Sequence, residues 1–234
     1  MKGRKHVVIT GASKGIGRAL VKLFVERGSR VIAISRDLQR LEALADELGT
    51  GAERLTLWAE DICEDGFCPL VAERLSHLPK VDILINNAGY LVNKPFEEIT
   101  SQELLRVYDV NVLSVFRLIQ TMIPFLSEDA HVVNVSSMGG FQGSQKFPGL
   151  TAYSSSKAAI CGLTECLQEE YKDSGFSFNA LCLGAVQTEM LEAAFPGFKA
   201  PLQPEEMATY IAGFADGGHR YFRGKVLPVS STTP

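Results

Sequence analysis

Cysteine and histidine are scarce in this chain of 234 residues, and neither is grouped. The five cysteines (Cys63, Cys68, Cys161, Cys166 and Cys182) form no Cys-x-x-Cys pair, and the four histidines (His6, His77, His131 and His219) are scattered. That spacing argues against a metal site and reads the thiols as free, small buried side chains in a reducing compartment. No stretch approaches the ~18 uninterrupted apolar residues of a membrane span, so no membrane partner is expected. The apolar run Val7 to Ile9 is too short for a secretory leader, which makes the cytoplasm the expected location. Positive charge is not in excess: the formal net charge is -4, and nucleic acid is not an expected partner. There is no internal repeat, low-complexity tract or Pro/Gly/Ser-rich linker to divide the chain. With 46% hydrophobic and 21% charged residues, the composition excludes a disordered or fibrous chain.

What is present is an alternation of short apolar runs with helical patterns. Strands are expected at His6–Thr10, Arg30–Ser35, Leu55–Ala59, Val81–Ile85, His131–Ser136 and Ser177–Leu183. Val31-Ile32-Ala33-Ile34 shows why: a nearly continuous apolar run suits a strand covered on both faces of a parallel sheet. A seventh strand, Val226 to Val229, contains Pro228 and is expected at an edge. Helices are expected from Gly15 to Arg27, from an Asp37 cap to about Leu48, from a Thr100-x-x-Glu103 capping box to about Met122, over Ala152 to Lys172, and over Glu205 to Phe214 behind Pro204. The rhythm predicts an α/β fold: one domain over residues 1–234, a doubly wound (Rossmann-type) parallel sheet of about seven strands with helices on both faces. Residues 138–151 and 188–203 are the longest irregular stretches and are the expected substrate loops. Met138, Phe141, Phe147, Leu150, Met190, Leu191 and Phe195 on them either line an apolar pocket or merely pack the loops.

The first strand runs into Thr10-Gly11-Ala12-Ser13-Lys14-Gly15-Ile16-Gly17. Glycines at such a turn let the backbone approach a dinucleotide pyrophosphate, which the following helix N-terminus attracts. A plain tight turn would use the same residues; the position after strand one and before a good helix favours the dinucleotide. At the end of strand two, neutral Ser35 stands where an NAD site carries an acidic side chain, and Arg36 follows. Arg36 and Lys14 suit the extra phosphate of NADP(H). The competing view makes Asp37 the acidic residue of an NAD site, although it also fits a helix cap.

Tyr153 and Lys157 are four apart, so they share a helix face. A phenol's unperturbed pKa is about 10; a nearby ammonium favours its ionised form, which makes the pair usable for proton transfer. An incidental Tyr and Lys on a solvated face is the alternative. Ser136 and Ser137 close strand five, and Asn86-Asn87-Ala88-Gly89 closes strand four, at the sheet edge where ligands bind in open α/β folds. Asn111 is a polar residue between Val110 and Val112 that satisfies either backbone or a water.

In this order and spacing, Thr10-Gly11-x-x-x-Gly15-x-Gly17, Asp61-Ile62, Asn86-Asn87-Ala88-Gly89, Asn111, Ser137 and Tyr153-x-x-x-Lys157 strongly resemble the short-chain dehydrogenase/reductase family over about residues 6–190. The resemblance implies Tyr153 as general acid for reduction. It implies that Lys157 lowers the phenol's pKa and holds the nicotinamide ribose. Ser137 would bond the substrate oxygen, and Asn111 would anchor a water in a proton relay. Cofactor contacts would run through Gly11, Ser13, Lys14, Gly15, Ile16 and Gly17, then Ser35 and Arg36. Asp61 would bind the adenine amino group with Ile62 beside the ring, and Asn87, Ala88 and Gly89 would line the adenosine-ribose side. Gly184, Val186 and Thr188 would follow strand six, with Thr188 on the carboxamide. Two departures stand out. Leu183 replaces the usual proline, and the tail ending Ser230-Ser231-Thr232-Thr233-Pro234 lacks the acidic-glycine turn of relatives. A homodimer on the two long helices is therefore expected ahead of the homotetramer. The expected activity is NADPH-dependent reduction of a small-molecule carbonyl substrate, mid-sized and apolar or aromatic. An NAD-dependent alcohol dehydrogenase and a non-catalytic dinucleotide-binding regulator are the alternatives; the intact Asn111, Ser137, Tyr153 and Lys157 argue against the last.

Overall fold

A computed structural model describes residues 5–231; the last three residues of the tail lie outside that range. Seven strands form one parallel sheet in the order β3-β2-β1-β4-β5-β6-β7. They are β1 (His6–Thr10), β2 (Arg30–Ser35), β3 (Leu55–Ala59), β4 (Val81–Asn86), β5 (Leu126–Ser137), β6 (Ser177–Leu183) and β7 (Val226–Val229). The strand order reverses between β1 and β4, and the crevice at that point is where such sheets bind ligands.

The period of two along each strand builds two cores. Val7, Ile9, Ile83, Ile85, Val133 and Val135 face one side, while Val8, Leu84 and Val132 face the other. The first side is covered by α1 (Gly15–Glu26), α2 (Leu38–Leu48) and α8 (Pro204–Gly217). The second is covered by α3 (Phe67–Ser76), α5 (Ser114–Met122) and α6 (Thr151–Glu170). β7 pairs only with β6, which makes it the edge that Pro228 requires.

Four features differ from the sequence expectation. α3 falls in a stretch read without an element; Phe67, Val71 and Leu75 bury its apolar face. The expected long helix from Thr100 is α4 (Ser101–Tyr108), then a π turn (Asp109–Leu113), then α5. β5 starts at Leu126 rather than His131, with a register irregularity opposite Val81 and Ile83. The 188–203 segment contains a short helix, α7 (Glu189–Ala194), capped by Thr188, which accepts from the Leu191 amide at 3.3 Å.

Candidate active site

The glycine turn is built for close approach. Gly11 has φ +68, and a Cβ there would lie 2.8 Å from the Ala88 Cα, while one on Gly17 would collide with the Gly11 carbonyl oxygen. The amide of Asn87 donates to Thr10 O at 3.0 Å and Gly11 O at 3.3 Å, and the Asn87 and Ala88 N–H groups both donate to the Thr10 hydroxyl at 3.1 Å. The end of β4 therefore clamps the turn. Lys14 precedes α1 without making a side-chain cap, so the first N–H groups of that helix keep their donor capacity for an anion. Ile16 packs into the core and fixes the helix start. These residues fit a dinucleotide's phosphates: the turn excludes side chains and presents helix-terminal donors.

At the end of β2, the Ser35 hydroxyl donates to Ser13 Oγ at 2.7 Å, and Asp37 caps α2 by accepting from the Arg40 amide at 3.0 Å. Arg36 reaches Asp61 at 3.5 Å, and Arg106 reaches the same carboxylate oxygen at 3.3 Å. Burial works against the Asp61 anion, but the Cys63 amide, Arg36 and Arg106 outweigh it and hold the carboxyl below its usual range. Ile62 packs beside it against the core.

At the other end, α6 carries Tyr153 and Lys157 past the tip of β5. Burial pushes the Tyr153 phenol up to about 12, with a hydrogen bond to Ser137 pulling the other way. Ser137 Oγ also accepts from the Gly139 amide at 3.2 Å, which fixes the hydroxyl at the strand end. Ser136 points elsewhere and donates to the Lys157 carbonyl at 2.8 Å. Lys157 is 4% exposed, and its ammonium donates to the Val135 carbonyl at 2.9 Å and lies 5.8 Å from the centre of the Tyr153 ring. Desolvation brings its pKa down to about 8. The lysine is not among the groups that move the phenol; burial dominates there.

Asn111 sits in the π turn, a geometry that recurs at functional sites. Its side chain is fully used: Oδ1 accepts from the Tyr90 amide at 2.8 Å, and Nδ2 donates to Tyr90 O and Ser156 Oγ, both at 2.9 Å. Ser156 in turn donates to the Tyr153 carbonyl at 2.7 Å. Tyr90 and Ser156 are thus parts of the frame that the sequence reading missed; Ser156 was hidden in a run of three serines. A Cβ on Gly89 would lie 3.6 Å from both Asn111 Oδ1 and Lys157 Nζ, so the chain leaving β4 passes beside the buried ammonium.

After β6, the Gly184 amide donates to Val229 O at 2.9 Å, and a Cβ on Gly184 would strike Ser230. Val186 is buried, packs in the core and bridges to Leu202. Thr188 touches the glycine turn, its Cγ2 lying 3.2 Å from a Cβ built on Gly15. Of the loop residues, Met138 and Phe141 pack behind the site with Cys161 and Cys182, whereas Phe147 remains exposed. Among the described residues no cluster of potential metal ligands occurs, and no helix is long and apolar enough to cross a membrane.

The short chain dehydrogenase model matches residues 5–197. The chain is 34% identical over 211 residues to the oxidoreductase UcpA of Salmonella typhimurium, covering 89% of this chain and 79% of that one. It is similar in structure to a short chain dehydrogenase from Salmonella enterica serovar Typhi, with a TM-score of 0.88 at 28% identity over 96% of this chain and 95% of the other. A 3-ketoacyl-(acyl-carrier-protein) reductase from Brucella melitensis, solved with NADH, gives a TM-score of 0.87 at 28% identity over 97% and 96%. With the glycine turn, the Ser137–Tyr153 contact and the Lys157 placement in this order on this sheet, the chain belongs to the short-chain dehydrogenase/reductase family of NAD(P)-dependent oxidoreductases.

Proposed function

We propose that the chain, working as one catalytic unit, is an NADPH-dependent carbonyl reductase in which Tyr153 protonates the substrate oxygen. The observation that carries this reading is the arrangement at the tip of β5, where Ser137 closes the strand and Tyr153 stands on α6 with the buried Lys157 ammonium 5.8 Å from the centre of its ring. When bound, NADPH supplies the hydride that the carbonyl carbon receives. Ser137 donates to the carbonyl oxygen and stabilises its developing charge. Tyr153 gives its proton to the same oxygen and regains one from solvent. Burial keeps the phenol protonated through the neutral range, the form in which Tyr153 can donate. Lys157, steadied by Val135 O, keeps its ammonium beside Gly89 at the end of β4 and holds the nicotinamide ribose. Asn111 positions this array through Tyr90 and Ser156 and would anchor the water of the proton relay.

NADPH is preferred because Ser35 is engaged with Ser13 and Asp37 is engaged as a cap, which leaves no acidic group to receive a ribose hydroxyl there. Arg36 and Lys14 are left to meet the phosphate. Substrate enters between residues 138–151 and 188–203 and is a mid-sized apolar or aromatic ketone or aldehyde. Exposed Leu105, Leu113 and Phe116 along α4 to α5 support a homodimer on that face, checked by sedimentation. The central test is NADPH consumption, followed by absorbance, over a panel of ketones and aldehydes. Consumption that Tyr153→Phe abolishes supports the reading; NADPH binding with no carbonyl consumed would favour a non-catalytic regulator.

A further inference from the structure

Sulfur is concentrated at one place behind the reactive face. Cys161 on α6 and Cys182 on β6 meet across the helix–sheet contact with their sulfurs 3.6 Å apart. Met138, the residue after Ser137, packs against both, and Phe141 and Val226 complete the cluster. The two cysteines are 21 residues apart in sequence with no motif between them, so only the fold makes them a pair.

The pair touches groups that the reaction site depends on. Cys161 Sγ donates to the Lys157 carbonyl at 3.3 Å, and Ser136 Oγ lies 3.4 Å from the same sulfur. Cys182 is the register partner of Ser136 and stands two residues before Gly184. A change in the separation of these sulfurs therefore acts on the turn of α6 that carries Lys157 and on the strand that leads into the 184–188 loop.

We propose that Cys161 and Cys182 form a redox-modification site, at which hydrogen peroxide converts two thiols into an intramolecular disulfide that disturbs the Tyr153–Lys157 helix. The Cys161 thiolate attacks one peroxide oxygen. An S–O bond forms, the O–O bond breaks, and the departing hydroxide takes a proton to leave as water. The Cys182 sulfur then attacks Cys161 sulfur, the S–S bond forms, the S–O bond breaks, and a second water leaves. The two thiols lose two electrons and two protons, and the peroxide accepts both.

The order of events follows from the surroundings. Cys161 is 9% exposed and Cys182 is fully buried, so a small oxidant meets Cys161 first. The hydrogen bond from Cys182 holds the Cys161 thiol down at about 7, burial opposing, while Cys182 is pushed up. Closing the bond is not free. A disulfide is about 2.05 Å long, so the sulfurs must approach by roughly 1.5 Å. The Cys161 bond to the Lys157 carbonyl is lost at the same time. Because a displacement of about 1 Å costs roughly a hundredfold in a positioned site, turnover should fall by at least about tenfold on oxidation.

The loss of turnover rests on the proposed reductase activity; the disulfide itself does not. The full-length protein is treated with hydrogen peroxide, its remaining thiols are alkylated, and it is digested without reductant for mass mapping. The expected product is a Cys161–Cys182 linked peptide that exceeds oxidation at Cys63, Cys68 and Cys166, vanishes with dithiothreitol, and is absent from C161S and C182S. Circular dichroism establishes that each variant is folded, and the wild-type map stands even if one is not. NADPH consumption with a reduced carbonyl should fall with peroxide and return with dithiothreitol in the wild type, but not fall in C182S. Absence of the linked peptide, or over-oxidation of Cys161 with Cys182 still alkylable, overturns the site. A linked peptide with undiminished turnover overturns its control of the reaction. If no carbonyl is consumed before peroxide is added, the reductase reading fails, and the linked peptide still decides the modification site.

Discussion

Lys157 and Arg36 are both cations beside the cleft, yet one is 4% exposed and the side chain of the other is 67% exposed. Lys157 is held by a backbone carbonyl, and desolvation lowers its pKa. Arg36 is held by Asp61 in a solvated pair, where the attraction is screened and small. The proposed reacting end of the cleft is thus built from buried hydrogen bonds that link Asn111, Tyr90, Ser156 and Tyr153 and that hold Lys157 on Val135 O, and the proposed adenosine end from exposed charges. Rearranging the first disturbs packing and proton affinity together. Rearranging the second exchanges one screened partner for another, which is the behaviour wanted where a protein selects a cofactor.

The sharpest break in that contrast is Tyr153→Phe. It should lower turnover at least ~10²-fold, the scale of a lost general acid, and leave NADPH binding nearly unchanged by fluorescence titration. A variant turning over at more than half the wild-type rate would remove Tyr153 from its role. Lys157→Ala should damage turnover and NADPH affinity together, because one buried ammonium serves both. The sign of its pH dependence follows from desolvation: a lysine lowered to about 8 is charged below that pH and neutral above it. Wild-type reduction should therefore be level through neutrality and decline above about pH 8, and the Lys157→Ala profile should lack that decline. At the adenosine end, the wild type should prefer NADPH by about a hundredfold in kcat/KM, given ~1.5–3 kcal/mol for each bond to a charged group. Ser35→Asp combined with Arg36→Ala should shift the preference towards NADH; equal efficiency in the wild type would contradict the assignment. The smallest effect is salt. Raising ionic strength should erode the cofactor preference by a few fold through screening, while kcat at saturating NADPH holds steady. A kcat that tracks salt as strongly as the preference would erase the distinction between the two ends.

The sheet was legible because its strands are buried on both faces and read as apolar runs, as in Val31 to Ile34. The Tyr153–Lys157 pair and the glycine turn were legible because their spacing carries the geometry. α3 was not, although Phe67, Val71 and Leu75 are spaced for a helix; Gly66 before it and Pro69 in its first turn mask the start. The π turn was invisible for a different reason. Nothing in Asp109-Val110-Asn111-Val112-Leu113 announces one, since it is the tertiary demand of Tyr90 and Ser156 on Asn111 that accompanies it. The Cys161–Cys182 contact lies across α6 and β6, and pairings between distant elements leave no local trace.

The π turn also holds a spare residue. Its bonds span five residues where an α-helix spans four, so one residue removed from 109–113 would let α4 and α5 run on as one regular helix with both faces still in register. The Thr100–Glu103 capping box and Val107 on one side, and Leu118, Ile119 and Met122 on the other, would keep their seats. The loss would fall on Asn111 alone, whose reach to Tyr90 and Ser156 comes from the widened turn. A residue removed from α4 or α5 themselves meets no such reserve, because each residue of an α-helix advances the face by about 100° and the buried side chains beyond the cut would swing off the sheet.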